Sequence, residues 1–214
     1  MAPAAESRLR RDLVEVCRRL HARNLIGAGE GNVSVRLGRG RLLVTPSGAN
    51  KGFITARDLV VVREGDGAVV GRGRASTELK MHLAAYAARP DVNAIVHAHP
   101  ITAVALTVAG VPPPNDLMPE ASVVLGDVAV APFSTPGTDE VPRALAPLIG
   151  SHDVLLLERH GALALGGDLF QAYDRLETLE RVAQVALAAR LLGRCDPLPR
   201  DAVEKVLAAA GVKR

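Results

Sequence analysis

Three short strand signals follow one another near the start of the chain, at residues 32–37, 41–45 and 59–63, and none of the gaps between them reads as a helix. That succession is the strongest constraint on the fold. Parallel neighbours need a crossover of a dozen residues or more, commonly a helix. Consecutive strands therefore point away from strict βαβ alternation and toward a mixed, partly antiparallel sheet. They are punctuated by "TPSG" at 45–48 and, after the third, "GDG" at 65–67.

The rest of the chain supplies the helices. Leu9, Leu13, Cys17 and Leu20 recur at helical spacing, so about 6–24 reads as an amphipathic helix. "GAGEGN" at 27–32 ends it. "STELKMHLAAYAARP" at 76–90 reads as a helix that opens on a Ser-Thr cap and stops at Pro90. A strand is expected at 93–99, and a helix at 101–109 with Pro100 in its first turn. A strand at 127–133 and a helix at 138–149 follow. "DVLLLER" and "ALALG" are strands on either side of "HG" at 160–161. A long helix from Asp168 to Leu192 has a capping-box pattern in Asp168 and Gln171. A last helix covers 200–210. No linker, repeat or low-complexity tract interrupts the sequence, so residues 1–214 are expected to form one α/β domain, with helices on both faces of the sheet.

Composition narrows the function classes. Apolar residues make up 48% of the chain and aromatics only 2%, with no Trp, so the core must be built from Ala, Val and Leu. The formal net charge of +3 is spread along the chain. Without aromatic stacking platforms, nucleic-acid binding is not expected. No run of eighteen apolar residues is present, so no membrane span is expected. Cys17 and Cys195 are too few and too far apart for a disulfide framework. The first twelve residues lack an apolar signal core, which makes the cytoplasm the expected compartment.

The chemistry concentrates in "AIVHAHP" at 94–100. Side chains alternate along a strand, so His97 and His99 share one face. Two neutral imidazoles there suit a zinc-like ion, whose catalytic sites commonly have three protein ligands. Two hydrogen-bonded core histidines fit the spacing equally well. His160 follows an apolar strand and precedes Gly161, where the backbone can turn sharply. His21, His82 and His152 read as surface or internally satisfied histidines.

"GAGEGN" follows a helix rather than a strand and is not the dinucleotide fingerprint. It reads first as a turn, as does "TPSG", while "STE" at 76–78 reads first as a helix cap. All three nevertheless offer backbone N–H groups, hydroxyls or an amide, the parts of a phosphate cradle. Glu78 either complements the helix dipole or serves as a base.

The ordered set "GEGNVSVR", "LLVTPSG", "STELKMHLAAYAARPDVNAIVHAHP", "PFSTPGTDE" and "LLLERHGALALGG" resembles the class II aldolase/adducin family over about residues 8–192. The resemblance implies a three-layer α/β/α fold with a mixed, mostly antiparallel sheet. It implies one Zn²⁺ per subunit at His97, His99 and His160, with Mn²⁺ or Co²⁺ as alternatives. Glu78 matches a carboxylate that ligates the metal at rest and becomes the general base when substrate displaces it. Asn32, Ser47, Gly48, Ser76 and Thr77 match phosphate-binding positions.

The implied activity is aldol cleavage of a ketose 1-phosphate of the fuculose 1-phosphate kind. Dihydroxyacetone phosphate and an aldehyde would form through a metal-stabilised enediolate. Epimerisation, dehydration and decarboxylation of sugar phosphates are the alternatives within the family; a non-enzymatic adducin-like interaction domain would lack the ligands seen here. The implied assembly is a homotetramer with active sites between subunits. Aldolases of this kind carry a catalytic Tyr after the two-histidine strand and another near the C-terminus. Neither "PPPNDLMPEASVVLG" nor "AAAGVKR" supplies one. Glu120 stands near the expected place and is the substitute proton donor, or else an N-terminal helix charge or a surface carboxylate.

Overall fold

A computed structural model describes residues 3–212. In chain order the elements are α1 (Pro3–Ala22), β1 (Asn32–Gly38), β2 (Arg41–Val44), β3 (Val60–Arg63), α2 (Leu79–Ala88), β4 (Ala94–Ala98), α3 (Ile101–Val108), a single π turn (Ala121–Leu125), β5 (Val128–Ala131), α4 (Glu140–Leu145), β6 (Val154–Leu157), β7 (Gly161–Gly166), α5 (Leu169–Leu191) and α6 (Arg200–Ala210). The strands form one sheet in the order β3-β2-β1-β4-β7-β6-β5. Every neighbouring pair is antiparallel except β5 and β6. The consecutive strands at the start of the chain thus pair as expected.

Helices cover both faces. On one, Leu13, Cys17 and Leu20 of α1 and Leu176, Leu179 and Ala183 of α5 pack on Val33, Val96, Ala164 and Leu156. On the other, Met81, Ala85 and Tyr86 of α2 and Val141 and Leu145 of α4 pack on Leu42, Ile95, Leu155 and Leu163. The strand residues alternate between these two sets, as the pleat requires. β4 lies at the centre of the sheet and all five of its residues are buried. The arrangement is the expected three-layer α/β/α fold.

Element ends shift where local chemistry competes. Helix α2 starts at Leu79, three residues after Ser76. Ser76 Oγ instead accepts from the Glu78 N–H at 3.2 Å, and the Glu78 carboxylate makes no cap hydrogen bond. The Ser-Thr cap is therefore corrected: this turn aims Glu78 into the site. Helix α4 is shorter than the 138–149 expected. Pro100 precedes α3 as its N-cap, outside the first turn. The α3 amides of Thr102 and Ala103 are met by the buried Glu180 carboxylate of α5 at 3.0–3.1 Å. At α5, Asp168 Oδ1 accepts from Phe170 and Gln171, while Gln171 Oε1 reaches back to Gly167 rather than Asp168. The capping box is thus displaced by one residue. Among the described residues no helix is long and apolar enough to cross a membrane.

Candidate active site

The site grows from the register of β4. Asn32 of β1 lies opposite His97, and Leu163 of β7 lies on its other side. His97, in line with Ile95, faces the α2 layer. The His99 N–H donates to the Leu25 carbonyl at 2.8 Å, which continues the same facing past the strand end.

Two glycines make the approach of the flanking segments feasible. Gly31 has φ +65°, and a Cβ there would lie 2.6 Å from Ile26 Cγ2 and 2.8 Å from the His97 carbonyl. "GAGEGN" is pressed against the strand that carries the histidines. At Gly161 a Cβ would meet the Ala98 carbonyl at 2.6 Å and His99 Cδ2 at 2.8 Å. Between β6 and β7 the chain turns through Glu158, Arg159 and His160. Arg159 has φ +58°, a left-handed conformation costing a non-glycine residue about 1–2 kcal/mol. Its N–H donates to Thr107 Oγ1 at 3.0 Å, which helps hold that turn. The turn delivers His160 to the other two histidines.

The three rings are mutually edge-on, with centroids 5.0–5.1 Å apart. His97 Nε2 is 3.1 Å from His99 Nε2. Glu78 Oε1 is 3.1 Å from His160 Nε2, and Glu78 Oε2 is 3.6 Å from His97 Nε2. A tetrahedral ion bonded at about 2.0–2.1 Å places its ligand atoms about 3.3–3.4 Å apart. The donor set, three imidazoles and one carboxylate, fits such an ion in both chemistry and spacing. The His97 Nδ1–H donates to the Ala162 carbonyl at 2.9 Å, which leaves the Nε2 lone pair facing the cluster. His97, His99 and His160 form a group that could hold a metal ion, and Glu78 stands beside them.

Electrostatics favour the same use. Burial, reinforced by the neighbouring imidazoles against the pull of Glu78, pushes the His97 pKa down to about 3. Burial and His160 also lower His99. Both rings are therefore neutral at pH 7, as metal ligation requires. Burial opposes ionisation of Glu78. The His160 hydrogen bond, the charges of His97 and His160 and the Asn32 hydrogen bond outweigh it and hold the carboxyl well below its usual range.

The positions expected from the sequence to bind phosphate gather on one rim. Asn32 Nδ2 donates to Glu78 Oε2 at 2.7 Å and lies 3.4 Å from Ser76 Oγ. A bridge between Pro46 and Ala75, with the Ser47 N–H donating to the Arg74 carbonyl at 2.8 Å, brings "TPSG" alongside Ser76. Gly48, at φ +69°, and Thr77 are both exposed there. Glu120 stands apart from this set. It precedes the π turn, is exposed, and among the described residues makes no hydrogen bond or ion pair with the histidines.

Four further residues belong to the site's surroundings. Glu30 Oε2 lies 3.8 Å from His99 Nδ1 and accepts from the Gly27 N–H at 2.9 Å. Lys51 is buried, and its ammonium donates to the Gly29 carbonyl at 2.7 Å. Glu30 thus links the glycine loop to His99, and Lys51 anchors that loop from the segment after "TPSG". His82 and Ser34 lie beneath Asn32, fully inside the fold. Glu30 stands inside "GAGEGN" and Lys51 three residues past "TPSG", but neither spacing reveals a contact.

Comparison with known proteins agrees with this geometry. The family model for the Class II Aldolase and Adducin N-terminal domain matches residues 11–187. The chain belongs to that family, as an enzyme of the aldolase type. It is 31% identical over 174 residues to the L-fuculose phosphate aldolase of Methanococcus maripaludis, covering 81% of this chain and 93% of that protein. It is 32% identical over 177 residues to the 3-oxo-tetronate 4-phosphate decarboxylase of Haemophilus influenzae, covering 81% and 84% respectively. A solved structure of L-fuculose 1-phosphate aldolase superposes with a TM-score of 0.86 at 30% identity, over 95% of this chain and 96% of that one.

Proposed function

We propose that the protein is a zinc-dependent aldolase that cleaves a ketose 1-phosphate to dihydroxyacetone phosphate and an aldehyde. The observation that carries this reading is the convergence of Glu78 with His97, His99 and His160, beside Asn32 and Ser76. His97, His99 and His160 would hold the ion, with Glu78 beside them as a further ligand that can also serve as the base. The ion supplies Lewis-acid stabilisation of negative charge on oxygen, worth several kcal/mol in the transition state.

The chain's own residues do the rest. Asn32, Ser47, Gly48, Ser76 and Thr77 bind the phosphate and fix the substrate's orientation. Cleavage breaks the carbon–carbon bond, and its electron pair stays with the three-carbon fragment. The hydroxyl on the departing fragment loses its proton as it becomes an aldehyde. Glu78 takes up a proton from solvent and delivers it to carbon of the three-carbon fragment, a role that contributes about 10²–10⁴-fold, and it returns to the carboxylate. Glu120, or water, takes the hydroxyl proton. Since Glu120 lies apart from the cluster of its own subunit, it serves the site of a neighbouring copy. That role fits a homotetramer with active sites between subunits, and so do the exposed side chains of Phe53, Phe133 and Ile101. One domain over residues 1–214, working in the cytoplasm with Zn²⁺, completes the proposal; Mn²⁺ or Co²⁺ would serve the same ligands.

Decarboxylation of a phosphorylated sugar acid is the second reading. It is favoured by the likeness to the Haemophilus influenzae enzyme and by the lack of Tyr in residues 111–126. Incubating metal-loaded protein with ketose phosphates, phosphorylated oxo-acids and their unphosphorylated counterparts, with and without chelator, separates the two by NMR of the products. Aldol cleavage yields dihydroxyacetone phosphate from a ketose 1-phosphate only when metal is present. Release of CO₂ with no aldol product would establish the second reading instead.

A further inference from the structure

Glu78, His82 and Tyr86 recur at i, i+4 and i+8 along the start of α2, so they share one face. Beneath that face, Asn32 and Ser34 alternate along β1. Four helical residues advance about 6 Å and two strand residues about 6.7 Å, so the two rows stay in step. The outcome is a continuous buried chain of contacts. Asn32 Nδ2 meets Glu78 Oε2 at 2.7 Å, and Asn32 Oδ1 meets His82 Nε2 at 2.5 Å. His82 Nδ1 meets Ser34 Oγ at 2.7 Å, and Ser34 Oγ meets the Tyr86 hydroxyl at 2.9 Å. Ser34, His82 and Tyr86 are each at most 2% exposed.

The direction of every bond in this chain is determined. A carboxylate accepts only, so the amide must present its nitrogen to Glu78; the flipped amide would set two oxygens 2.7 Å apart. The amide oxygen then faces His82, and as an acceptor it requires a proton on Nε2. Full burial keeps this imidazole neutral, so Nδ1 carries a lone pair. Ser34 must spend its one hydroxyl proton on Nδ1. Tyr86 must in turn donate to Ser34.

We infer that this one-way chain, Tyr86 to Ser34 to His82 to Asn32, locks the Glu78 carboxylate in its proton-transfer position, and that His82 is a positioning residue for the reaction. The assignment rests on the reading of Glu78 as base. The chain fixes the Asn32 amide so that Glu78 Oε2 is always held by Nδ2. Oε1 is left to face His160 and the reacting carbon. Glu78 does not swing freely, because a rigid amide backed by the core retains it. Pairing of both Asn32 amide hydrogens, to Glu78 Oε2 and Ser76 Oγ, also couples the base to the phosphate rim.

Two measurements test this. In the wild-type protein, two-bond proton–nitrogen NMR of labelled histidines reports the His82 tautomer, with His82 assigned by its loss in His82→Gln. The chain requires the neutral form protonated on Nε2; a proton on Nδ1 overturns it. The second is deuterium exchange from solvent into dihydroxyacetone phosphate, at matched zinc content. His82→Leu leaves bound zinc unchanged and lowers the exchange rate about 10–100-fold. His82→Gln, whose amide N–H reaches Asn32 Oδ1, recovers most of that rate. Wild-type exchange in His82→Leu, or an equal loss in both variants, overturns the positioning role. Absence of exchange in the wild-type protein would refute the Glu78 reading itself, and the tautomer would still decide the direction of the chain.

Discussion

Acid should destabilise the metal-free protein well before its carboxylates titrate. Burial lowers the pKa of His82 to about 4 and of His97 to about 3, against an ordinary value of 6.5. Below pH 6.5 the unfolded chain binds protons that the folded chain refuses. Stability from this source is complete above pH 6.5 and drains as pH falls toward those lowered values. At pH 5.0, about 1.5 pH units below the ordinary value, the one proton each folded ring refuses is worth about 2 kcal/mol. The two together cost about 4 kcal/mol, and the lowered His99 adds in the same direction. The carboxylates with lowered pKa values, Glu78 and Asp58 among them, lose their contribution only as pH falls below about 4.5, so they do not mimic the effect.

The loss is large beside a typical total of about 5–15 kcal/mol. Urea titrations of chelator-treated protein at pH 7.5 and 5.0 measure it. With a slope of about 2 kcal/mol per molar, the midpoint should fall by about 2 M. His82→Gln should remove about half of that fall. A midpoint that holds steady from pH 7.5 to 5.0 would show that these rings protonate in place, and would refute the closed, neutral cluster.

Other substitutions separate the parts of the site. His97→Ala should abolish both bound metal and turnover, measured on one sample by metal analysis and product assay; full turnover without metal would contradict the ligand assignment. Ser76→Ala should raise KM about tenfold or more with kcat little changed, because a hydroxyl bonding a charged phosphate contributes about 1.5–3 kcal/mol. Gly161→Ala should weaken metal binding and lower the melting temperature. Its Cβ would press on the Ala98 carbonyl and on the His97 and His99 rings within 3.0 Å, and a normal metal affinity would argue against that close approach.

Much of the architecture was legible because periodicity is local. The three consecutive strands announced antiparallel pairing, and the alternation of His97 and His99 placed both rings on one face. The mixed character of the sheet followed from the missing crossovers. What remained hidden depends on which side chains meet across elements. His82 read as an ordinary satisfied histidine, and it is satisfied, but its partners Asn32 and Ser34 lie 50 and 48 residues away. The spacing of Glu78, His82 and Tyr86 was present in the sequence, yet only the packing of α2 on β1 gives it meaning. The Ser76–Thr77 start of α2 misled for a related reason. A Ser-Thr-Glu run is a good cap in isolation, and here Ser76 meets Asn32 while Glu78 turns toward His97 and His160. Spacing alone left the meeting of His97 with His160 open; the hairpin through Arg159 and the close approach at Gly161 settle it.

The most direct test compares Glu78→Gln with the wild-type protein for solvent deuterium exchange into dihydroxyacetone phosphate, after both are loaded with zinc and their metal content is matched. The account predicts that the variant retains zinc on His97, His99 and His160 and loses exchange by about 10²–10⁴-fold. A metal-replete variant that exchanges at the wild-type rate would contradict it, since proton delivery to carbon would then belong to another group.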